Sequence, residues 1–220
     1  MSKQVPFLLK IQLGSALFVL FSASAMGQQN DWLIVPGRRL GPLNANTTRA
    51  DLDRIFGKSD VQDQSLDGGE GPEPATVVFP KTPDAALAIF WQDNRMDRVM
   101  ICYQHEAGPC KWHTQNRVSL GTNLQQLETL NGRAFQIENW GYDLGGNISS
   151  WRRGKLEAIF GSRLVLSVYF QKTPQDFTSR QRTLLNEIDR HKRKPLSTDA
   201  AVRELDPTVT RMELIFTGKD

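Results

Sequence analysis

Thr47-Thr48-Arg49-Ala50-Asp51-Leu52-Asp53-Arg54-Ile55-Phe56-Gly57-Lys58 and Thr122-Asn123-Leu124-Gln125-Gln126-Leu127-Glu128-Thr129-Leu130-Asn131-Gly132-Arg133 lie 75 positions apart and carry the same chemistry in the same order. Thr48 and Asn123 supply a helix cap, and Asp51 and Gln126 the side chain that answers it three residues on. Leu52 pairs with Leu127 and Ile55 with Leu130. Gly57 and Gly132 close the two segments, each followed by a cation. A unit repeated at a fixed offset reveals how a chain is built. Two short helices are expected here, each opening one half of the protein.

Strand patterns surround both helices. In the first half, runs at 76–79, 87–91, 98–103 and 110–114 are separated by turn-rich pieces such as Gln92-Asp93-Asn94-Arg95. Val99, Ile101 and Tyr103 alternate with Arg98, Met100 and Cys102. Residues 67–74, rich in Gly, Pro and acid, read as a loop. In the second half, strands are expected at 135–140, 147–151, 156–160 and 163–170. Short strands on short connections imply antiparallel meanders. A helix capped by Thr173 with Pro174 at its first position, a short helix at 200–205 and a last strand at 209–216 complete the chain. The expected class is α+β: two tandem helix-plus-antiparallel-sheet halves with a C-terminal helix and final strand. Their bounds are 28–116, 117–171 and 172–220.

Residues 1–27 have the order of a secretory signal peptide: Lys3 and Lys10, an apolar run from Ile11 to Phe21, then Ser22-Ala23-Ser24-Ala25-Met26-Gly27. Cleavage is expected after Ala25 or Gly27. The apolar run is shorter than the roughly 20 residues that cross a bilayer, so no transmembrane span is expected in the mature chain. No Cys follows the small residues to carry a lipid. The expected location is periplasmic or secreted. The formal net charge of +3 falls to +1 once the two lysines of this segment are set aside. A nucleic-acid partner, which asks for a concentrated basic face, is therefore not expected. The one dense basic run, Arg190-His191-Lys192-Arg193-Lys194, ends a helix, where cations favour the dipole. At 39% hydrophobic and 23% charged residues, the chain has the balance of a globular domain.

Cys102 and Cys110 are the only cysteines. In an oxidising compartment they would close a short loop as a disulfide, contributing about 2.5 kcal/mol by chain entropy. Two alternatives stand beside this: free thiols, or a tetrahedral metal shell of Cys102, His105, Cys110 and His113. No nucleophile elbow, zinc-protease helix or phosphate-cradling loop occurs, so no catalytic residue and no cofactor is assigned. Trp140, Tyr142 and Trp151 gather large rings near one hairpin. They are either a binding patch or core filling between helix and sheet.

The segment from Leu120 to Gly132 resembles the helix openings of two exported families: the secreted β-lactamase inhibitor proteins, and the small outer-membrane lipoprotein that assists barrel assembly. The first family is built of tandem helix-plus-sheet repeats, and both act by protein contact without catalysis. The resemblance implies a non-catalytic binding protein whose partner is another envelope or secreted protein. The alternative is an envelope enzyme or metal-binding protein using the Cys/His hairpin.

Overall fold

A computed structural model describes residues 31–67, 71–103, 108–141, 143–170, 176–190 and 193–216. Both capping boxes form. Thr48 Oγ1 accepts the Asp51 N–H at 3.3 Å while Asp51 Oδ2 accepts the Thr48 N–H at 3.0 Å. Asn123 and Gln126 make the same reciprocal pair at 2.8 and 3.0 Å. They open α1 (Arg49–Phe56) and α2 (Leu124–Asn131). Gly57 and Gly132 end them at φ of +88° and +77°, a region that costs glycine little.

The strands are β1 (Leu33–Val35), β2 (Arg39–Leu40), β3 (Leu43–Asn44), β4 (Val61–Asp67), β5 (Pro72–Val78) and β6 (Leu87–Gln92). They continue with β7 (Arg95–Ile101), β8 (His113–Thr114), β9 (Gln136–Ile137), β10 (Ile148–Ser150), β11 (Leu164–Tyr169) and β12 (Thr208–Ile215). The remaining helices are α3 (Lys155–Phe160), α4 (Ser179–Arg190) and α5 (Ala200–Leu205).

The class is α+β with antiparallel sheets. The largest sheet has the order β11-β12-β7-β6-β5-β4. β4 to β7 form the expected meander, and β6 turns into β7 through Asp93 and Asn94, both at positive φ as a type I′ hairpin requires. The two helix-led stretches do not keep separate sheets. β12, from the C-terminal stretch, lies between β7 and β11 and bonds to both. One row of side chains therefore crosses five strands: Val78, Leu87, Ile101, Met212 and Leu166, all buried. Leu52, Leu127, Phe160, Ile188 and Val202 bring one residue from each helix to the same core. The likeness of α1 and α2 stops at their ends, because α1 lies against β4 and β5 whereas α2 lies against α3.

Several local expectations are corrected. Residues 67–74 are not a loop: β4 and β5 pair from Val61↔Val78 to Asp67↔Pro72. The Phe79 N–H donates to Asp60 O, so the backbone groups of even-numbered β4 residues face β5. Pro72 and Pro74 oppose odd-numbered residues, and their missing N–H groups point to the side of β6. That strand ends its pairing at Ala75↔Phe90, so no ladder bond is lost. The expected strand at 156–160 is α3. Leu156 and Phe160, four apart, are both buried while Glu157 and Ile159 are exposed, which is helical and not alternating order.

Only His113–Thr114 of the expected strand 110–114 forms, and it pairs in parallel with β1. Alternation in β7 holds to Ile101. Cys102 then turns at φ +50° into the core, and Tyr103 joins Met100 and Phe90 on the outer face. Of the strands expected at 135–140 and 147–151, β9 and β10 are the paired parts. Thr173 and Pro174 lie outside the described residues. α4 starts at Ser179, with Thr178 and Gln181 as its reciprocal cap at 3.2 and 3.0 Å.

Because Leu214 packs between Val99 and Leu164 on neighbouring strands, Leu214→Ala is expected to cost about 3 kcal/mol. Leu66→Ala, in the small outer cluster, is expected to cost under half of that. Urea unfolding of the two variants measures the difference, and equal losses would contradict a core organised on β12.

Candidate functional site

The aromatic residues divide. Trp151 is 5% exposed and packs against Phe135 and Phe160, with ring centroids 5.2 and 5.6 Å away. It fills the core beneath α3, so its expected role as a surface anchor is corrected. Trp140 is half-buried; its Nε1–H donates to Val168 O at 2.9 Å and its ring meets Phe170. Tyr142 lies outside the described residues. Cys102 and Cys110 form the disulfide, with Cα atoms 6.1 Å apart. With both sulfurs joined, the Cys/His metal shell has no thiolates. His105 lies outside the described residues. His113 Nε2 is 3.3 Å from Arg117 Nη1, and its Nδ1 is 3.1 Å from Thr114 O.

A different site stands where β4, β5 and α1 meet. Alternation along β6, with Leu87 and Ile89 on the core side and Ala88 and Phe90 on the outer side, sends the Trp91 ring to the inner side of the sheet. Its Nε1–H donates to Thr76 Oγ1 at 3.0 Å, and Thr76 donates to Asp63 Oδ1 at 2.7 Å. Arg49, in the first turn of α1, donates from Nε to the same oxygen at 2.7 Å and from Nη1 to Asp53 at 2.8 Å. Arg49, Asp63, Gln64, Pro74, Thr76 and Trp91 thus line an open groove of about 440 Å³. The start of α2 also faces a groove, of about 460 Å³, bordered by Arg117, Asn123 and Gln126.

Charge in the first groove is fixed. The Arg49 hydrogen bond, helped by Thr76, holds the Asp63 carboxyl below its usual range against an opposing effect of burial. A carboxylate so committed is a poor general base for the Thr76 hydroxyl beside it. The arrangement presents an indole, a locked ion pair and the amide side chains of Gln64 and Asn94.

Beside the groove, β4 is an edge strand of the large sheet among the described residues. Even-numbered residues bond to β5, so the N–H and C=O groups of Asp63 and Ser65 point outward. Among the described residues neither has a backbone partner on that side. At the other end of the sheet, the Val168 N–H donates to Gly146 O, and β10, β9 and residues 195–197 continue the hydrogen bonding. The β5 margin past β6 carries Pro72 and Pro74. No local sequence signal announced this edge, because it follows from strand order. The polar run Gln62-Asp63-Gln64-Ser65 is the nearest hint.

No family model, curated protein or solved structure matches the chain.

Two outcomes test the local chemistry. Hydrogen bonds from Arg54 first, then from Thr48, hold Asp51 at about 2. A depressed carboxylate stabilises the fold fully above its unfolded value near 4, and that contribution drains away as pH falls toward 2. Asp51→Asn is expected to flatten the fall of melting temperature between pH 4 and 2, read by circular dichroism. The same slope in both proteins would contradict the capping role. Separately, Cys102→Ser with Cys110→Ser is expected to cost about 2.5 kcal/mol in urea unfolding under oxidising conditions. Strong reductant should bring the parent chain to the level of the double variant.

Proposed function

We propose that this chain is an exported, non-catalytic binding protein, periplasmic or secreted, which holds a partner protein along the free edge of β4 and in the adjoining groove under α1. The observation that carries the reading is the outward pair of backbone groups at Asp63 and Ser65, flanked by a groove floored by Trp91. An unpaired edge is a template for another chain unless charge, proline or a covering element blunts it. Adding a strand to such an edge is a recurring mode of recognition. Export is supported by the order of residues 1–27, by the disulfide, and by the lack of any helix among the described residues long and apolar enough to cross a membrane. The helix-opening resemblance to two exported families that act by contact points the same way.

Ser65→Pro removes an N–H that faces outward, so the β4–β5 ladder is left whole while the edge is blocked. In capture from an envelope extract, the parent chain is expected to retain a defined partner that the Ser65→Pro chain loses, with equal melting temperatures for the two. Identical captured proteins from both chains would overturn the reading.

A further inference from the structure

The turn between β10 and α3 has the backbone of the β6–β7 turn but not its residues. Trp151 O accepts the Gly154 N–H at 3.0 Å, and the two residues between, Arg152 and Arg153, sit at φ of +54° and +60°. Asp93 and Asn94 hold the same pair of angles, +50° and +60°, and short polar side chains tolerate them. A long side chain in the left-handed region destabilises a turn that Asn and Gly would make freely. The local geometry therefore gives no reason for two arginines. Bulky residues held in that region cluster at functional surfaces.

The corner around this turn is rigid and cationic. Asn131, 1% exposed, donates from Nδ2 to Trp151 O and Arg133 O, both at 3.0 Å, and accepts the Leu156 N–H at 3.2 Å. A Cβ on Gly154 would lie only 2.0 Å from that amide oxygen. Arg133 Nη1 donates to Arg152 O at 2.8 Å, and Lys155 Cε passes 3.8 Å from where a Gly132 Cβ would be. Arg133, Arg152, Arg153 and Lys155 are all exposed, and among the described residues none of them makes an ion pair. Of the acids on the adjoining helices, Glu128 pairs with Arg203 at 2.6 Å and Glu157 accepts the Arg153 N–H at 2.6 Å. Four cations against Glu157 leave the corner a net charge of +3.

An apolar side chain stands beside these charges. Ile159, one turn along α3 from Lys155 and on the same side, is 43% exposed, and Ala158 next to it is exposed as well. Long cationic stems around an open aliphatic group suit the border of a bilayer, where methylenes enter the headgroup layer and charges stay with the phosphates. A soluble polyanion would leave Ile159 in water. The surface flanks β11, at the end of the large sheet opposite β4, and is independent of the edge reading above.

We propose that this corner docks the protein on an anionic bilayer: Arg133, Arg152, Arg153 and Lys155 bind lipid phosphates while Ile159 enters the headgroup layer.

Co-sedimentation of the oxidised chain, purified after export, with lipid vesicles tests it. Binding to vesicles of equal parts phosphatidylcholine and phosphatidylglycerol is expected to be about tenfold tighter, or more, than to phosphatidylcholine alone. It should weaken severalfold from low to physiological salt. Arg152→Asn with Arg153→Gly is expected to weaken it about 25-fold, at roughly fivefold per cation, while the melting temperature holds or rises because the new pair suits the turn. Lys58→Gln with Lys81→Gln removes the same charge at the base of the β4–β5 hairpin and should change binding by less than about threefold. Ile159→Ser should weaken binding severalfold. Equal binding to the two kinds of vesicle, or parental binding by the double arginine variant, would overturn the proposal. So would a loss from the double lysine variant as large as that from the arginines. Retention of polyphosphate by the parent and not by the arginine variant, with no vesicle binding, would also overturn it, by giving the corner to a soluble polyanion.

Discussion

Everything in this fold hangs on β12 being hydrogen-bonded along both of its sides. Met212 and Leu214 sit in rows that run unbroken from the first meander to β11. Without that strand, β7 would expose one margin and β11 another, and the core below would lose its middle. Apolar burial stabilises a fold in proportion to the area taken from water, and a central strand removes more of it than any other element of a sheet. The helices are accessories to that layer, each setting one or a few apolar side chains on its inner surface.

The ends of elements were more legible than their arrangement. Capping chemistry is local, so Thr48, Asp51, Asn123 and Gln126 told where α1 and α2 begin. The short helix at 200–205 and the meander through β6 and β7 were also plain, because their periodicity and turns lie within a few residues. What failed was decided at long range. Pro72 and Pro74 suggest a loop until it is known that β6 has stopped pairing with β5 at Ala75. Leu156–Phe160 is an apolar run too short for periodicity to choose between strand and helix, and packing chose. The doubled helix pointed to two tandem halves, and its twins lie against different neighbours.

The candidate site was the least legible part. Trp140 and Trp151 drew attention as large rings near one hairpin, but large rings are what a core needs, and Trp151 went there. Trp91 has no more conspicuous a sequence setting than either. It faces a groove because the sheet's inner surface is open at that end of β6, where Thr76, Asp63 and Arg49 gather from three separate elements. A free sheet edge has no motif at all. It is defined by which strand has no neighbour, a property of topology.

The placement of β12 also bears on when this molecule can take shape. Residues 208–215 come after every other strand of the large sheet, so that sheet has a gap within it until they are made. The meander made earlier can form a partial layer, with β7 left waiting for a neighbour supplied more than a hundred residues later. Completion of the sheet is thereby deferred until β12 has been made, and until then the layer stays divided.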